Sequence, residues 1–292
     1  MLALNKQTNF SINKTGSKDL AFRISETEIA MANDNKPAYF EYYTVFWVKE
    51  GAADIKIDFG RYSLSNGTVM LLLPFQPFVI EDGKTMKGTL IEFSSDFFCI
   101  EKHRHEVSCN GVLFNSVYGP PFLEATERLA SELAMVEESI YDEFEKGEGL
   151  SQEEMLFSYL KIFLIKASRQ KVEDIDVDAK SATQQPDNAT LLNFQELVES
   201  DFEKQHGVSY YAEKLFIQPN TLSKLTKRFY GKSPGQIIKE RVMVEAKRRL
   251  YLTQNSVKEI AYGLGFDDPA YFNRFFKKWA QVTPEEYRQH IR

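Results

Sequence analysis

The spacing of apolar residues changes twice along the chain. From Leu20 to about Phe114 they alternate with polar residues or bunch into short runs: LAFRISETEIA, YFEYYTVFWVKEG, ADIKIDFGRYSL, TVMLLLPF, FVIE and GTLIEFS, with Gly, Asn and Asp between them. Alternation of period two with turn residues at the breaks predicts short strands. Many strands without intervening helices predict a sandwich or small barrel. From Pro120 to Phe144 the spacing turns helical. Phe122, Thr126, Leu129, Leu133, Val136 and Ile140 step by four and three, a short seam that suits either a partner chain or the chain's own β domain. Gly147 and Gly149 break that helix, and Ser151 with Glu154 reads as the cap of the next. The segment EEMLFSYLKIFLIKAS is apolar nearly all round, as a helix buried on two sides would be. Residues 1–18 and 171–189 are polar and without period, and read as an arm and a linker.

The densest pattern is SVKEIAYGLGFDDPAYFNRFFKKWAQVTPEEYR, from Ser256 to Arg288. Ser256 followed by Glu259 opens a helix with a capping box, and Val257, Ile260, Ala261 and Leu264 give it one apolar stripe. Gly263, Gly265 and Phe266 read as a tight turn. Asp268 then caps a second helix with Pro269 at its first position, where the missing N–H costs nothing. On that helix Phe272, Phe275, Phe276 and Trp279 share one face. Ala270, Asn273, Arg274 and Lys277 repeat the spacing two residues earlier. Two residues rotate a helix by about 200°, so this second set points away from the first. An outward face of amide, guanidinium and ammonium groups, with Lys278 at its edge, suits base edges and phosphates in a major groove. A helical hairpin with a merely solvated polar face would show the same composition.

A second copy shifts that balance. SYYAEKLFIQPNTLSKLTKRFYGKSP runs from Ser209 to Pro234. Shifted by fifty residues, it sets Pro219 on Pro269, Asn220 on Ala270, Leu222 on Phe272, Ser223 on Asn273 and Lys224 on Arg274. Leu225 then meets Phe275, Lys227 meets Lys277, Arg228 meets Lys278 and Phe229 meets Trp279. Ser233-Pro234 and Thr283-Pro284 repeat a cap followed by Pro, with Gln236 and Glu286 completing capping boxes. The preceding helix is offset by one less, Ala212 on Ala261. Packing alone does not explain a duplicated outward polar face. Between the copies, Pro234 to Gln254 reads as one helix. Roughly nineteen residues span about 28 Å, which approaches the ~34 Å between major-groove faces on one side of DNA.

Residues from about Leu191 to Arg292 resemble the DNA-binding domain of the AraC/XylS family, most specifically in IAYGLGF, PAYFNRFFKK and TPEEYR. The resemblance implies two helix-turn-helix units joined by a long helix. It assigns base reading to Asn220, Ser223 and Lys224 in the first unit and to Ala270, Asn273 and Arg274 in the second. Lys227, Arg228, Lys277 and Lys278 would touch phosphate. Thr226 departs from the pattern, which usually places an inward aromatic there; Phe229 or Tyr230 is the expected compensation. In this family the front domain is usually a cupin-like jelly roll that holds a small effector, with Gly51 and Pro74 where its turns are expected. The implied architecture is α+β in two domains. It comprises an arm (1–18), a cupin-like effector-binding β-barrel or jelly roll (19–118), trailing helices for dimerisation (119–170), a linker (171–189) and an all-α DNA-binding domain (190–292). The implied function is a cytoplasmic, homodimeric transcription regulator that binds double-stranded DNA and answers a small-molecule effector of unknown identity. RNA polymerase is a further candidate partner.

Composition refines this picture. A net charge of −6 argues against nucleic acid until it is divided: from Asp187 onward 17 Lys and Arg face 13 Asp and Glu, so the back is basic and the front acidic. With 43% hydrophobic and 27% charged residues among 292, about two domains with real cores are expected. No apolar stretch approaches the roughly eighteen residues of a membrane span. Two cysteines, Cys99 and Cys109, make no disulfide framework and fit a reducing cytoplasm. With His103 and His105 they form a cluster of zinc-type ligands, at a spacing unlike a zinc finger, and buried free cysteine is common. The strand YFEYYTVFWVK, where a metal-bearing cupin would carry His-x-His, has no histidine. No phosphate loop, nucleophile elbow or His-Glu-x-x-His occurs, so no catalytic residue, cofactor or metal is assigned. The competing readings are a metal-dependent or redox-sensing regulator, a cupin-type enzyme fused to a DNA-binding domain, and a constitutive DNA-binding protein.

Overall fold

The computed structural model describes residues 2–14, 16, 18–31, 37–57, 60–80, 85–100, 103, 113–114, 117–147, 149, 151–182 and 186–291. The chain divides into two compact units. Met1–Ile57, Arg61–Ser116 and Pro121–Ile175 form the first; Asp58–Gly60, Val117–Pro120 and Asp176–Arg292 form the second.

In the first unit, strands β1 (Leu2–Asn13), β2 (Leu20–Met31), β3 (Tyr43–Gly51), β6 (Thr68–Leu72), β8 (Thr85–Phe93) and β9 (Phe122–Glu124) make one sheet, in the order β1-β2-β8-β3-β6-β9. A smaller sheet has the order β5 (Gly60–Leu64), β4 (Ala53–Ile57), β7 (Phe78–Ile80). In the large sheet β2 pairs antiparallel with β1 and β8, and β3 with β8 and β6. Successive side chains of a strand point to opposite faces, and here both faces of the large sheet are covered. Phe46, Val48, Met70, Leu72, Met86 and Leu90 pack against Ile55, Ile57, Leu64, Phe78 and Ile80 of the small sheet. Val45, Trp47, Val69, Leu71, Ile91 and Phe93 pack against helices α1 (Glu127–Glu145) and α2 (Gln152–Ala182). A strand buried on both sides needs no polar alternation, which explains the unbroken apolar run in β6. The barrel expected from the sequence thus takes the form of two stacked antiparallel sheets with helices on the outer face of the larger.

Four expectations are corrected. Leu2–Asn13, within the stretch read as an arm, is a strand: β1 pairs with β2 along most of its length, and Phe10 and Ile12 pack on the core. The intervening Asn, Ser, Thr and Lys residues hide that alternation. The helix does not begin near Pro120, because Phe122–Glu124 pairs with β6 and Thr126 is the N-cap, its hydroxyl accepting from the Leu129 N–H. The polar stretch read as a linker is largely helical. The α2 helix runs on to Ala182 and α3 (Pro186–Asp201) opens with Pro186, while residues 183–185 lie outside the described set. From residue 171 to 182 the chain has no Gly or Pro, and such a stretch propagates a helix already nucleated upstream. Ser151, read as a cap, has a left-handed φ of 64° instead of the extended backbone of a capping residue. Of the two readings open for the seam of Leu129, Leu133, Val136 and Ile140, the structure takes the second: it is buried against the chain's own sheet.

The second unit is helical: α3, α4 (Val208–Lys214), α5 (Pro219–Tyr230), α6 (Pro234–Leu252), α7 (Val257–Gly263), α8 (Pro269–Ala280) and α9 (Pro284–Ile291). The 19 residues of α6 join the two helical pairs, about 28 Å at 1.5 Å per residue. Ile237, Ile238, Val242, Ala246 and Leu250 bury its inner side. Among the described residues no helix is long and apolar enough to cross a membrane.

Candidate nucleic-acid interface

Each helical pair is built by the same local bonds. At the end of α4 the Ile217 N–H donates to the Ala212 carbonyl (3.0 Å), and at the end of α7 the Phe266 N–H donates to Ala261 (3.0 Å). These bonds satisfy orphan carbonyls and turn the chain. The residue before each donor is left-handed: Phe216 at φ 55° in the first unit, Gly265 at φ 75° in the second. The helix ends reverse that choice, with Gly231 at φ 67° closing α5 and Gln281 at φ 63° closing α8. The fold of the repeat is kept while its glycine moves from one turn to the other.

The start of α8 is set by Asp268, whose carboxylate accepts from the N–H groups of Ala270 (2.8 Å) and Tyr271 (3.1 Å). Gln218 at the start of α5 makes no such side-chain bond. Capping boxes form at Ser233 with Gln236, Ser256 with Glu259 and Thr283 with Glu286. The bonds from Ser256 hold the Glu259 carboxyl below its ordinary pKa, which keeps it ionised at the helix start.

The inward faces anchor the two helices that could read a groove. Leu222, Leu225 and Thr226 of α5, and Phe272, Phe276 and Trp279 of α8, are buried. Each fully buried Phe contributes roughly 1.5–3 kcal/mol. Phe275 is half-buried, its ring 5.2 Å from Phe266. The expected compensation at Thr226 is only partly correct. Thr226 packs inward with its hydroxyl donating to the Ser223 carbonyl (3.4 Å), and Tyr230 is held by Gln195 (2.8 Å). Phe229, however, is 38% exposed where Trp279 is 8% exposed. Its ring lies 5.2 Å from the Arg228 guanidinium, so it turns to the surface instead of filling the gap.

The residues assigned to DNA from the sequence lie on the opposite arcs. Asn220, Lys224, Lys227 and Arg228 of α5 are exposed, and Ser223 is half-buried; Ala270, Asn273, Arg274, Lys277 and Lys278 of α8 are exposed. The Arg274 guanidinium stands 3.7 Å from Asp268, with both side chains largely in solvent. An exposed ion pair is worth at most about 1 kcal/mol, so a base could replace Asp268 at little cost. Lys227, Arg228, Lys277 and Lys278 also sit in the last turns of their helices, where cations complement the dipole.

Sequence reasoning passed over Tyr271. It is 55% exposed, with its ring 5.9 Å from the Arg274 guanidinium. Tyr271 and Lys278 are seven residues apart and share the rim of the outward arc, a signal that rotation by about 100° per residue would have disclosed. Of the other candidate cluster, Cys99 and His103 lie among the described residues, where no group of metal-type ligands forms. Cys99 is buried, and its carbonyl accepts from the His103 N–H (3.1 Å) in a turn instead of an extended strand. The His103 ring packs on Phe98 and Phe157. His105 and Cys109 lie outside the described residues.

Comparison with known proteins points to the same domain. The family described as "Helix-turn-helix domain" matches residues 211–290. The chain is 35% identical over 80 residues to the regulatory protein PocR of Salmonella typhimurium, covering 27% of this chain and 26% of that protein. It is 31% identical over 91 residues to the transcriptional activator RhaS of Mannheimia succiniciproducens, covering 31% of this chain and 34% of that protein. The chain therefore matches about a quarter to a third of the length of these curated relatives. Among solved structures, the C-terminal domain of the response regulator yesN from Fusobacterium nucleatum is 34% identical, covering 35% of this chain and 98% of that one, with a TM-score of 0.33. With its paired helical units, the long helix between them and the family match, the carboxy-terminal domain of this chain belongs to the AraC type of helix-turn-helix domains.

Proposed function

We propose that this chain is a sequence-specific transcription regulator whose α5 and α8 read two neighbouring stretches of double-stranded DNA. The observation that carries this reading is the duplicated outward arc: Asn220, Ser223 and Lys224 on one helix, Ala270, Asn273 and Arg274 on the other, each opposite a buried apolar face. Asn suits adenine and Arg suits guanine in the major groove, while Lys227, Arg228, Lys277 and Lys278 supply phosphate contacts. The first unit is the sensing and dimerising part in this reading. Its α1 seam is consumed by the sheet, so the surface left for a second copy is the outer side of the helix pair. There Met135, Met155 and Ile162 are exposed and Lys166 bonds Glu132 (2.7 Å) between the helices.

A second reading, a DNA-binding protein with no small effector, is favoured by one observation. The apolar side chains between the two sheets, among them Phe46, Met70, Phe78 and Met86, pack against one another and are almost fully buried. Binding-site selection with the full chain, followed by footprinting, tests the main reading. The expected result is a selected sequence with two sub-sites, each lost from the consensus when its own helix is altered. Selection that returns no preference over random DNA would end it. Thermal-shift screening of the full chain against metabolites separates the two readings: a saturable ligand that alters DNA affinity supports effector control.

A further inference from the structure

The two helix-turn-helix units are joined by more than α6. Near the end of that helix, Arg249 engages three segments with its three guanidinium nitrogens. Its Nε donates to Glu245 Oε1 one turn back (2.8 Å), its Nη1 donates to the Gly263 carbonyl at the end of α7 (3.0 Å), and its Nη2 donates to Glu203 Oε1 between α3 and α4. The Glu245 side chain is almost fully buried and that of Arg249 largely so. Burial raises the Glu245 pKa, but hydrogen bonds from Arg248 and Arg249 bring it below its ordinary value, so the acceptor is charged.

Two glycines make room for this seam. A Cβ at Gly263 would stand 2.8 Å from Arg249 Nη1, and one at Gly265 would stand 2.4 Å from the Glu203 carbonyl oxygen. Beside them the His206 ring lies 5.0 Å from Phe266. Residues 203–206 lead into α4 of the first helical pair, and residues 263–266 are the turn that aims α8. A planar guanidinium fixes direction as well as distance, which a lysine ammonium cannot do.

We propose that Arg249 is a positioning residue that fixes the separation and tilt of α8 relative to α5, and so restricts the chain to paired sub-sites at one spacing. The inference rests on the DNA-reading role proposed above. Adding one base pair between sub-sites moves the second by about 3.4 Å and rotates it by roughly 35° around the duplex. A welded pair of units cannot follow that displacement; loosening the seam at Arg249 gives the pair more freedom to bend at Thr253–Asn255.

The test uses the full chain and has one readout that needs no DNA. Spin labels at Ser223→Cys and Asn273→Cys, in a Cys99→Ala, Cys109→Ala background, report the distance between α5 and α8. The unaltered seam is expected to give a narrow distribution, and the unlabelled chain to lose about tenfold or more in affinity when one base pair is added between the selected sub-sites. Arg249→Met is expected to broaden the distribution and to cut the insertion penalty below about threefold, with Arg249→Lys between the two. Arg249→Met with a narrow distribution and an unchanged insertion penalty overturns the proposal. If that variant does not fold by circular dichroism, Glu203→Ala removes the acceptor of one arm of the seam, and the same two measurements decide. Selection without any sequence preference would overturn the DNA-reading role, while the distance distribution would still decide the role of Arg249.

Discussion

Replacing Gly265 by alanine isolates the contact between the two helical pairs. The residue has φ 75°, and its added Cβ would lie 2.4 Å from the Glu203 carbonyl oxygen and 3.3 Å from Lys204 Cα. A β-carbon in the left-handed region costs roughly 1–2 kcal/mol. Alanine recovers roughly 0.5–1 kcal/mol of this because its unfolded chain has less freedom to lose. The close approach adds more, since the obstructing atoms are backbone and cannot swing aside. Overpacking of this kind costs roughly 1–3 kcal/mol, for a total of about 1–4.5 kcal/mol. Gly231→Ala is the control: its φ is 67°, but nothing lies within 4 Å of the added carbon, so it carries only the first two contributions, about 0–1.5 kcal/mol. In a domain of about a hundred residues, 1 kcal/mol moves Tm by ~4–8 °C. Calorimetry of the full chain, with hydrogen exchange to assign the transition containing α7 and α8, should show a Tm for Gly265→Ala lower than that of Gly231→Ala by about 4 °C or more. Equal losses at the two positions would refute the claim that residues 203–204 press on the second turn.

Three further outcomes are expected. Lys224→Ala and Arg274→Ala should each lose about 1–3 kcal/mol of discrimination at one position of the selected site, whereas Lys277→Ala should weaken all sequences and lower the salt slope by about one; uniform weakening by all three would remove the base-reading assignment. Burial lowers the His206 pKa from its ordinary 6.5, against hydrogen bonds with backbone groups of Leu264 and Phe202. The unfolded chain therefore binds this proton more readily, so the stability contributed by neutral His206 is present above pH 6.5 and is lost as pH falls below it. Between about pH 7.5 and about pH 5.5, which brackets the ordinary value, the Tm of His206→Leu should drop less than that of the unaltered chain, and an identical drop would contradict this. If the exposed side of α2 pairs two copies, Ile162→Glu should give monomer in sedimentation while circular dichroism stays unchanged; a chain already monomeric at micromolar concentration would dismiss that surface.

The repeated units were legible because their signals are local. Capping pairs such as Ser256 with Glu259, and the steps of Phe272, Phe276 and Trp279, act within one or two turns of helix, so sequence spacing and spatial neighbourhood coincide. What escaped depends on distant partners. The β1 strand has few apolar residues and owes its form to pairing with β2. The seam of α1 looked equally suited to a partner chain, and only the sheet it covers decides between them. Arg249 reads as one more surface cation in a basic helix, since neither Glu203 nor Gly263 is near it in sequence. Phe216 in a left-handed turn runs against residue preference, and 94% of it is exposed. The geometry of the repeat overrides the local choice there.

The doubly covered large sheet has a mechanical consequence. Neighbouring residues of one strand, such as Phe46 and Trp47 or Met70 and Leu71, serve opposite cores. Interiors packed at crystalline density transmit displacement instead of absorbing it. Volume inserted on the small-sheet side would therefore push the sheet toward α1 and α2, and with it Lys49 and Thr89, both bonded to Glu137 of α1. A guest held between the sheets would make itself felt on the far side without ever touching the helices it moves.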